Sequence, residues 1–158
     1  MHDDLPATPA NTPESVARLA DTLHQLDEAH RRYRVYTARV VDVSPMELSA
    51  LTAINDTPGI TPGALAKDIV LSSGATTAVI DRLERSGHIF REKHPGDRRS
   101  LHLRLTEKGD DTMSMLNEAY RYVLSTSGTD DAITAVLPQL DRVTDALNGA
   151  AREAAGPE

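Results

Sequence analysis

Apolar side chains along this chain recur mostly every third or fourth position, the spacing of one face of an α-helix. The first such stretch runs from Pro13 to Val41 and opens with Thr12-Pro13-Glu14, an N-cap, a proline and an early acid. A helix of that length spans roughly 43 Å, more than a small domain needs for its own core. We therefore expect this first helix to pack against a second chain.

Three shorter helices follow, each opened by a hydroxyl residue that can cap it. Ser44 and Glu47 have the spacing of a capping box, so the second helix starts at the residue after Ser44. Thr61 caps the third helix and Ser72-Ser73 cap the fourth. Gly87 stands where a left-handed residue is expected at the end of the fourth helix.

The apolar spacing then changes from helical to alternating, which predicts strands. Ile89 to Lys93 forms the first strand, Pro95-Gly96-Asp97 has turn residues, and Ser100 to Leu105 forms the second. Two further helices complete the chain, one capped by Thr106 and one beginning at Asp130. The predicted fold class is mainly α with a small β-hairpin wing: a winged helix-turn-helix domain plus a long-helix dimerisation region.

These elements divide the chain into regions. Residues 1–11 hold prolines and small polar side chains and are expected to form a disordered N-terminal tail. Residues 12–43 and 106–150 form the predicted helical dimerisation region, and residues 44–105 form the winged helix-turn-helix region, whose function is indicated by its charge and surface. Residues 151–158 are assigned to a C-terminal tail.

Composition removes several classes of protein. Of the 158 residues, 39% are hydrophobic and 26% charged, as in globular proteins, and no apolar run approaches the ~20 residues of a membrane span. With no cysteine, the chain has no disulfide, thiolate metal ligand or cysteine nucleophile. The N-terminus is acidic and proline-rich, unlike a signal peptide, so we expect a cytoplasmic protein.

Enzymatic signatures are missing from the sequence, which has no Ser/His/Asp spacing, no phosphate-binding glycine loop and no paired carboxylates. We therefore expect no catalytic residue and no cofactor. A metal sensor is an alternative suggested by His24, Glu28 and His30. The six-residue gap between these histidines differs from the usual four-residue helical pairing, and no metal site is predicted.

Positive charge is concentrated in one segment, although the net charge of the chain is −7. From Arg82 to Lys108 there are eight basic and four acidic residues, a net +4, which leaves −11 for the rest. A basic segment on an acidic protein is typical of an anion-binding face, and phosphate is the usual anion. The alternative is a solvated charged surface, in which Arg82 and Arg85 pair with Asp81 and Glu84.

The fourth helix is suited to the major groove of DNA, which admits one α-helix. Its first turn offers unpaired N–H groups to a phosphate, and Gly74 lets the backbone approach closely. Its hydroxyl groups can donate to phosphates or bases, and threonine methyls can touch a thymine methyl. Arg98 and Arg99 at the hairpin tip can reach the minor groove. The candidates on the helix itself are Ser72, Ser73, Gly74, Thr76 and Thr77.

The segment 75–91, ATTAVIDRLERSGHIFR, resembles the core of the MarR family of bacterial transcription regulators. The hairpin HPGDRRS at 94–100 and the exit LTEKG at 105–109 resemble the same family. The resemblance covers most of the chain after Thr12. It implies a homodimer whose first, fifth and sixth helices interlock with those of the partner. It further implies a repressor of a pseudo-palindromic operator that a small ligand relieves.

The resemblance also implies roles for individual residues. It places Arg98 and Arg99 at the wing tip, with Asp97 pairing to one arginine to fix its angle. It places Arg82 late on the recognition helix, within reach of the phosphate backbone. The two wing-tip arginines are the same residues that groove dimensions suggest for contact with the minor groove.

One departure from the family pattern concerns Gly74 and Ala78, where family recognition helices often carry Arg or Lys. Bidentate contact to guanine normally comes from Arg or Lys, so we expect weak guanine readout. The operator would instead be read through thymine methyls, phosphates and minor-groove width. The departure also leaves open a second class of function, a winged-helix dimer that binds an acidic protein partner.

The resemblance also implies an effector pocket that opens near Tyr33 and Tyr36, with Arg39 near enough to meet a carboxylate. The alternative is that both tyrosines serve packing. A third class of function, a sensor driven by a metal or small molecule, also stays open. The expected partners are double-stranded DNA, a second copy of the chain and a small-molecule effector, with no membrane.

Overall fold

The computed structural model describes residues 12–93 and 101–155, with side chains up to residue 153. In these residues the chain forms helices α1 (Glu14–Val40), α2 (Pro45–Asp56), α3 (Pro62–Asp68), α4 (Ser73–Arg85), α5 (Glu107–Ser125) and α6 (Asp130–Ala155), and strands β1 (Ile89–Lys93) and β2 (Leu101–Leu105). Every helix begins within one residue of its predicted start, and these elements confirm the predicted mainly α fold with a small β-hairpin. Helix α6 includes residues 151–155, which the sequence assigned to a tail.

The hydroxyl residues act as the predicted helix caps. Ser44 forms a complete capping box, in which its hydroxyl accepts from the Glu47 N–H and its own N–H donates to the Glu47 carboxylate. The Thr61 hydroxyl accepts from Ala64 N–H at 3.2 Å, and the Ser72 hydroxyl from Ala75 N–H at 3.3 Å. Each cap satisfies a donor that a helix start leaves unpaired, which is why these short helices begin where they do.

Residues 21–93 and 101–119 belong to one compact unit with an aliphatic core. The side chains that are fully buried in it come from α2, α3, α4 and both strands: Leu51, Ile54, Leu65, Ile80, Leu83, Ile89 and Leu103. Phe90 is 41% exposed, so the single phenylalanine of the chain contributes little to this core.

The hairpin pairs β1 and β2 antiparallel, from Ile89 opposite Leu105 to Lys93 opposite Leu101. The loop before α3 is hydrogen-bonded to β2. The Gly59 N–H donates to the Leu103 carbonyl at 3.1 Å, and the Leu103 N–H donates to the Ile60 carbonyl at 3.0 Å. These bonds attach the base of the wing to the helix-turn-helix. Residues 94–100, the predicted tip, lie outside the described residues.

The end of α4 is joined to the start of α5 by donors to three successive carbonyls, a contact we call the α4–α5 joint. Lys108 Nζ donates to Ser86 O at 2.7 Å, Thr106 Oγ1 to Gly87 O at 2.6 Å, and Thr106 N–H to His88 O at 3.0 Å. These carbonyls belong to the C-cap of α4 and to the two residues that follow it, and the LTEKG segment supplies a donor to each.

The turn between α3 and α4 contains Val70 in the left-handed region, at φ 53° and 85% exposed. A β-branched side chain is disfavoured in this region of backbone conformation. The sequence has no glycine at this position, so it did not predict a left-handed turn here.

Residues 12–20 and 120–155 belong to a second compact unit. Of the α6 residues with described side chains, none is buried. The exposed apolar residues of this helix follow a three- or four-residue spacing and include Val136, Leu137, Leu140 and Leu147. Such a face has the pattern of a helix that packs on an apolar surface.

We expect Gly109→Ala to lower the free energy of unfolding by about 3 kcal/mol, because forced overpacking is costly and backbone atoms yield little. A Cβ at this position would lie 2.1 Å from the His88 carbonyl oxygen, inside the α4–α5 joint. Urea denaturation followed by circular dichroism measures the loss. Gly63→Ala is the matched control, since nothing lies within 4 Å of a Cβ there. Equal stability of the two variants would contradict the steric requirement.

Candidate nucleic-acid interface

The first two turns of α4 present small side chains to solvent. Ser73, Gly74, Thr77 and Ala78 are all exposed, and a Cβ at Gly74 would meet nothing within 4 Å. The Ser72 hydroxyl caps the helix through Ala75, while the other N–H groups of the first turn keep the positive end of the helix dipole. This surface allows a close approach of the backbone to another molecule.

Thr76 requires a correction, because the structure buries it at 1% exposure. Its hydroxyl donates to the Ser72 carbonyl at 3.0 Å within α4. It stands three and four residues before the buried Val79 and Ile80, and this spacing already placed it on the inner face. Thr76 therefore belongs to the core and leaves the set of candidate DNA contacts.

The neighbouring Thr77 is exposed, but its hydroxyl proton is already used. Thr77 Oγ1 donates to the Ser73 carbonyl at 2.9 Å. In this state the oxygen can accept a hydrogen bond from a base amino group, and the methyl group can contact a thymine methyl. Ser72 differs, since its oxygen accepts from Ala75 and its proton stays available for donation.

Arg82 lies in the third turn of α4 and is bound to a carboxylate from α2. Its Nε donates to Glu47 Oε1, while Glu47 Oε2 accepts the Ser44 N–H at 2.7 Å. The Glu47 residue is 9% exposed, whereas the Arg82 side chain is 46% exposed. The sequence predicts Glu47 as the acidic residue of a capping box, but no local pattern indicates its bond to Arg82, 35 residues further along the chain.

The carboxylates of Asp81 and Glu84 bind an arginine that the sequence analysis did not pair with them. Arg91 of β1 donates through Nη2 to Asp81 at 2.5 Å and through Nη1 to Glu84. The Arg85 Nε donates to the Asp81 carbonyl at 3.2 Å. The alternative pairing of Arg82 and Arg85 with these two carboxylates is therefore wrong, because Arg82 binds the Glu47 carboxylate and Arg85 donates to a backbone carbonyl.

The basic segment is thus more neutral than its charge sum indicates. Arg82, Arg91 and Arg104 each bind a carboxylate, the last through Glu92 across the hairpin. Two of the carboxylates involved, Glu47 and Asp81, lie outside the segment and were absent from the sum. Arg98 and Arg99, the two remaining candidates for DNA contact, lie outside the described residues.

Two titratable groups lie buried beneath this surface. Burial alone would raise the pKa of Glu47, but the Ser44 N–H, the Arg82 guanidinium and the Ser44 hydroxyl together hold it below its ordinary value. Burial lowers the pKa of His88, Lys108 lowers it further, and Glu47 opposes both. The His88 Nδ1 lies 2.7 Å from the Ser86 hydroxyl. His88 is therefore neutral in the folded protein near pH 7.

The ligand candidates on α1 differ in environment. Tyr36 is 64% exposed and Arg39 is exposed, whereas Tyr33 is half-buried. The next residue after Tyr33, Arg34, borders a cleft of about 360 Å³ that none of the three candidates lines. The cleft is formed by α1, α2 and the turn before α4, with lining residues Arg34, Met46, Ser49, Thr52, Ala53, Asp56, Asp68, Ile69 and Val70.

Within residues 12–93 and 101–155, no group of three or more His, Asp or Glu side chains is arranged to hold a metal ion. His24 and Glu28 of the sensor alternative lie on α1, where Glu28 binds Arg31 at 2.6 Å. No helix in the same residues has the length and apolar character that a membrane span requires.

Sequence comparison identifies relatives that match the helix-turn-helix. The profile of the MarR family matches residues 43–101. The HTH-type transcriptional regulator YcgE of Bacillus subtilis is 40% identical over 64 residues, which are 40% of this chain and 42% of YcgE. The matched segment thus spans less than half of that relative, which is named as a transcriptional regulator and not as an enzyme.

Comparison with solved structures extends the likeness to most of the chain. A MarR family protein from Bacillus stearothermophilus has a TM-score of 0.72 at 22% identity, over 88% of this chain and 99% of that one. FabT of Streptococcus pneumoniae, crystallised in complex with DNA, has a TM-score of 0.67 at 24% identity, over 85% and 98%. At these identities the likeness establishes the fold.

We expect the free energy of unfolding to decrease as the pH falls below about 6.5, the ordinary pKa of histidine. The pKa of His88 is lowered by burial, so the unfolded chain binds a proton that the folded protein does not. The loss continues until the pH reaches the folded-state pKa, at no more than about 1.4 kcal/mol per pH unit. Denaturant titrations at a series of pH values measure the slope.

The control for this slope is His88→Asn, which keeps a polar atom beside the Ser86 hydroxyl but does not titrate. Its stability should vary less between neutral and mildly acidic pH than that of the unsubstituted protein. An unchanged slope in this variant would show that another group binds the proton.

Proposed function

We propose that this chain is a transcriptional regulator of the MarR family that binds double-stranded DNA as a homodimer, a proposal supported by the match of its residues 43–101 to the family profile and by its likeness to solved MarR family structures. We further propose that it represses transcription from a pseudo-palindromic operator, that a small ligand relieves this repression, and that it acts in the cytoplasm. Each part of the proposal is supported by separate features of the chain.

The observation that carries DNA binding is the outer face of α4. Ser73, Gly74, Thr77 and Ala78 are exposed beside a capped N-terminus, and the core side of the same helix is fully packed. A helix with small outer side chains fits deep into a major groove, where its first-turn N–H groups meet a phosphate. We assign Ser72 and Arg82 to the edges of this contact.

The wing extends the contact into the neighbouring groove. Strands β1 and β2 are fixed to the helix-turn-helix by the Gly59–Leu103 pairing. Arg98 and Arg99 of that tip are long enough to enter a narrow minor groove, whose potential attracts arginine.

The exposed face of α4 should discriminate only weakly between bases through direct hydrogen bonds. Neither Gly74 nor Ala78 offers a bidentate partner to guanine, and the Thr77 hydroxyl acts as an acceptor. Thymine methyls, phosphate positions and groove width then carry most of the specificity.

Homodimerisation is supported by α6 and the end of α5. Tyr122 is 73% exposed and Leu147 64%, and Val136, Leu137 and Leu140 of α6 are also exposed in a single chain. A second copy would bury these faces, and a two-fold dimer would place two α4 helices on half-sites about one helical turn apart, ~10 bp, or a small multiple.

A small effector is proposed to bind beside α1. Tyr33, Tyr36 and Arg39 remain the candidate contacts for a carboxylate-bearing ligand. The cleft bordered by Arg34 lies next to the turn that leads into α4, so a ligand there would act on the recognition helix through one short segment.

A second candidate function is protein binding through the winged helix, favoured by the lack of Arg and Lys at Gly74 and Ala78. Selection of bound sequences from random DNA separates the two candidates, because a protein-binding module enriches no common motif. Recovery of a repeated half-site supports the regulator.

Replacing Arg98 and Arg99 by alanine should weaken binding to the selected operator by about 1–3 kcal/mol for each arginine. Fluorescence anisotropy with the labelled operator measures the loss, and the affinity of the unsubstituted protein should fall with salt at a logarithmic slope near −0.9 per neutralised phosphate. Arg31→Ala with Arg32→Ala is the matched control, since it removes the same charge from exposed positions of α1. Equal affinities of the two double variants would exclude the wing from the contact.

Leu137→Asp combined with Leu140→Asp should convert the dimer to a monomer, because it places charges on the apolar face of α6. Sedimentation velocity distinguishes the 17.1 kDa chain from a species of twice that mass. Gln139→Asp, on the polar side of the same helix, serves as the control and should leave the dimer intact. A dimeric double variant would place the interface elsewhere.

A further inference from the structure

We propose that Glu47 is a positioning residue for DNA recognition, which holds the Arg82 side chain so that its two terminal amino groups face a DNA phosphate. This inference rests on the proposed function, DNA binding through α4. It adds to the site a residue of α2 that makes no DNA contact of its own.

The position of the Glu47 carboxylate is fixed from two sides. Its Oε2 accepts the Ser44 N–H at 2.7 Å, and the Ser44 hydroxyl accepts the Glu47 N–H at 3.2 Å, so the capping box fixes the side chain to the start of α2. The remaining oxygen, Oε1, accepts from Arg82 Nε. With Glu47 only 9% exposed, this carboxylate is a buried anchor and not a surface charge.

The geometry of Arg82 leaves its outer half available. Guanidinium has five N–H donors, and the bond to Glu47 uses the single one on Nε. The Nη1 and Nη2 groups carry the other four and belong to a side chain that is 46% exposed. They form the fork that matches two oxygens of a phosphate. An arginine held at Nε therefore presents this fork in a restricted set of directions.

Replacing Glu47 has two effects on operator affinity, one from its charge and one from the orientation of Arg82, and they can be distinguished because they act in opposite directions. The Glu47–Arg82 pair is neutral, so it contributes little counterion release when DNA binds. Removal of the Glu47 charge makes the surface more positive and by itself strengthens binding to any DNA. Loss of the Arg82 orientation instead weakens binding to the operator, where the phosphates have defined positions. The two effects have opposite signs on the operator.

The test is Glu47→Gln, assayed on the selected operator and on a scrambled duplex of the same length. Glutamine is accepted in a capping box, but its NH₂ group replaces one of the two carboxylate oxygens with a donor, so either the Ser44 N–H or the Arg82 Nε–H loses its acceptor. We expect operator affinity to fall about 10-fold, the scale of one hydrogen bond to a charged group. Affinity for the scrambled duplex should stay constant or rise, so the ratio of the two affinities falls.

Two further variants separate positioning from stability. Ser44→Ala removes the hydroxyl cap but keeps the Ser44 N–H and the Arg82 bond, so it should lower the melting temperature without changing the affinity ratio. Arg82→Lys keeps the charge on an exposed side chain but has no Nε–H and no fork. It should lower the affinity ratio as Glu47→Gln does, and it tests the contact without disturbing the α2 cap.

A double-variant cycle completes the experiment. In an Arg82→Ala background, Glu47→Gln should cause no further loss of the affinity ratio, because Glu47 acts through Arg82. An unchanged ratio in Glu47→Gln, or losses that add in the double variant, overturns the positioning role while DNA binding stands. If the unsubstituted protein binds the operator and the scrambled duplex equally, the proposed function itself fails, and the positioning role fails with it.

Discussion

The α4–α5 joint is the contact on which the arrangement of the winged helix depends. Three successive carbonyls that follow α4 accept hydrogen bonds from Thr106 and Lys108, which come from the chain that leaves the wing. The turn between α4 and β1 is therefore tied to residues that come after the hairpin. Gly109 is required at this joint because the His88 carbonyl occupies the space of a Cβ. The end of α4, the hairpin and the start of α5 are consequently held together.

Ion pairs between carboxylates and arginines determine how much positive charge α4 and the hairpin strands present to a partner. Arg91 is bound by Asp81 and Glu84, and Arg82 by Glu47. An arginine with a carboxylate partner contributes less to long-range attraction and more to geometry, because its side chain is held in one direction. In the proposed complex the described surface therefore contributes shape, and long-range attraction falls mainly to the wing tip.

Local features of the fold could be predicted from the sequence, because they depend on neighbouring residues. Ser44, Thr61 and Ser72 fixed three helix starts, and Gly87 adopts the expected positive φ of 76°. Contacts between distant residues could not be predicted in the same way. The bond from Glu47 to Arg82 depends on how α2 crosses α4, which no local pattern records.

The candidate site was predictable to the same extent. The sequence identified the helix and most of its exposed residues, and it misplaced Thr76, which its distance from Val79 and Ile80 assigns to the core. Val70 was not anticipated, since a left-handed valine violates the backbone preference on which turn prediction relies.

The small outer face of α4 has a consequence for how such a regulator gains affinity. In the proposed complex, Gly74 and Ala78 stand where Arg or Lys would read guanine, so one α4 helix would make few base contacts and a single half-site would bind weakly. Two helices carried by the proposed dimer would bind two half-sites, and the second contact would form at a high effective concentration. The free energy of recognition then depends on the spacing of the two helices as much as on their side chains. A ligand that changes this spacing by a small distance can release the operator without touching α4.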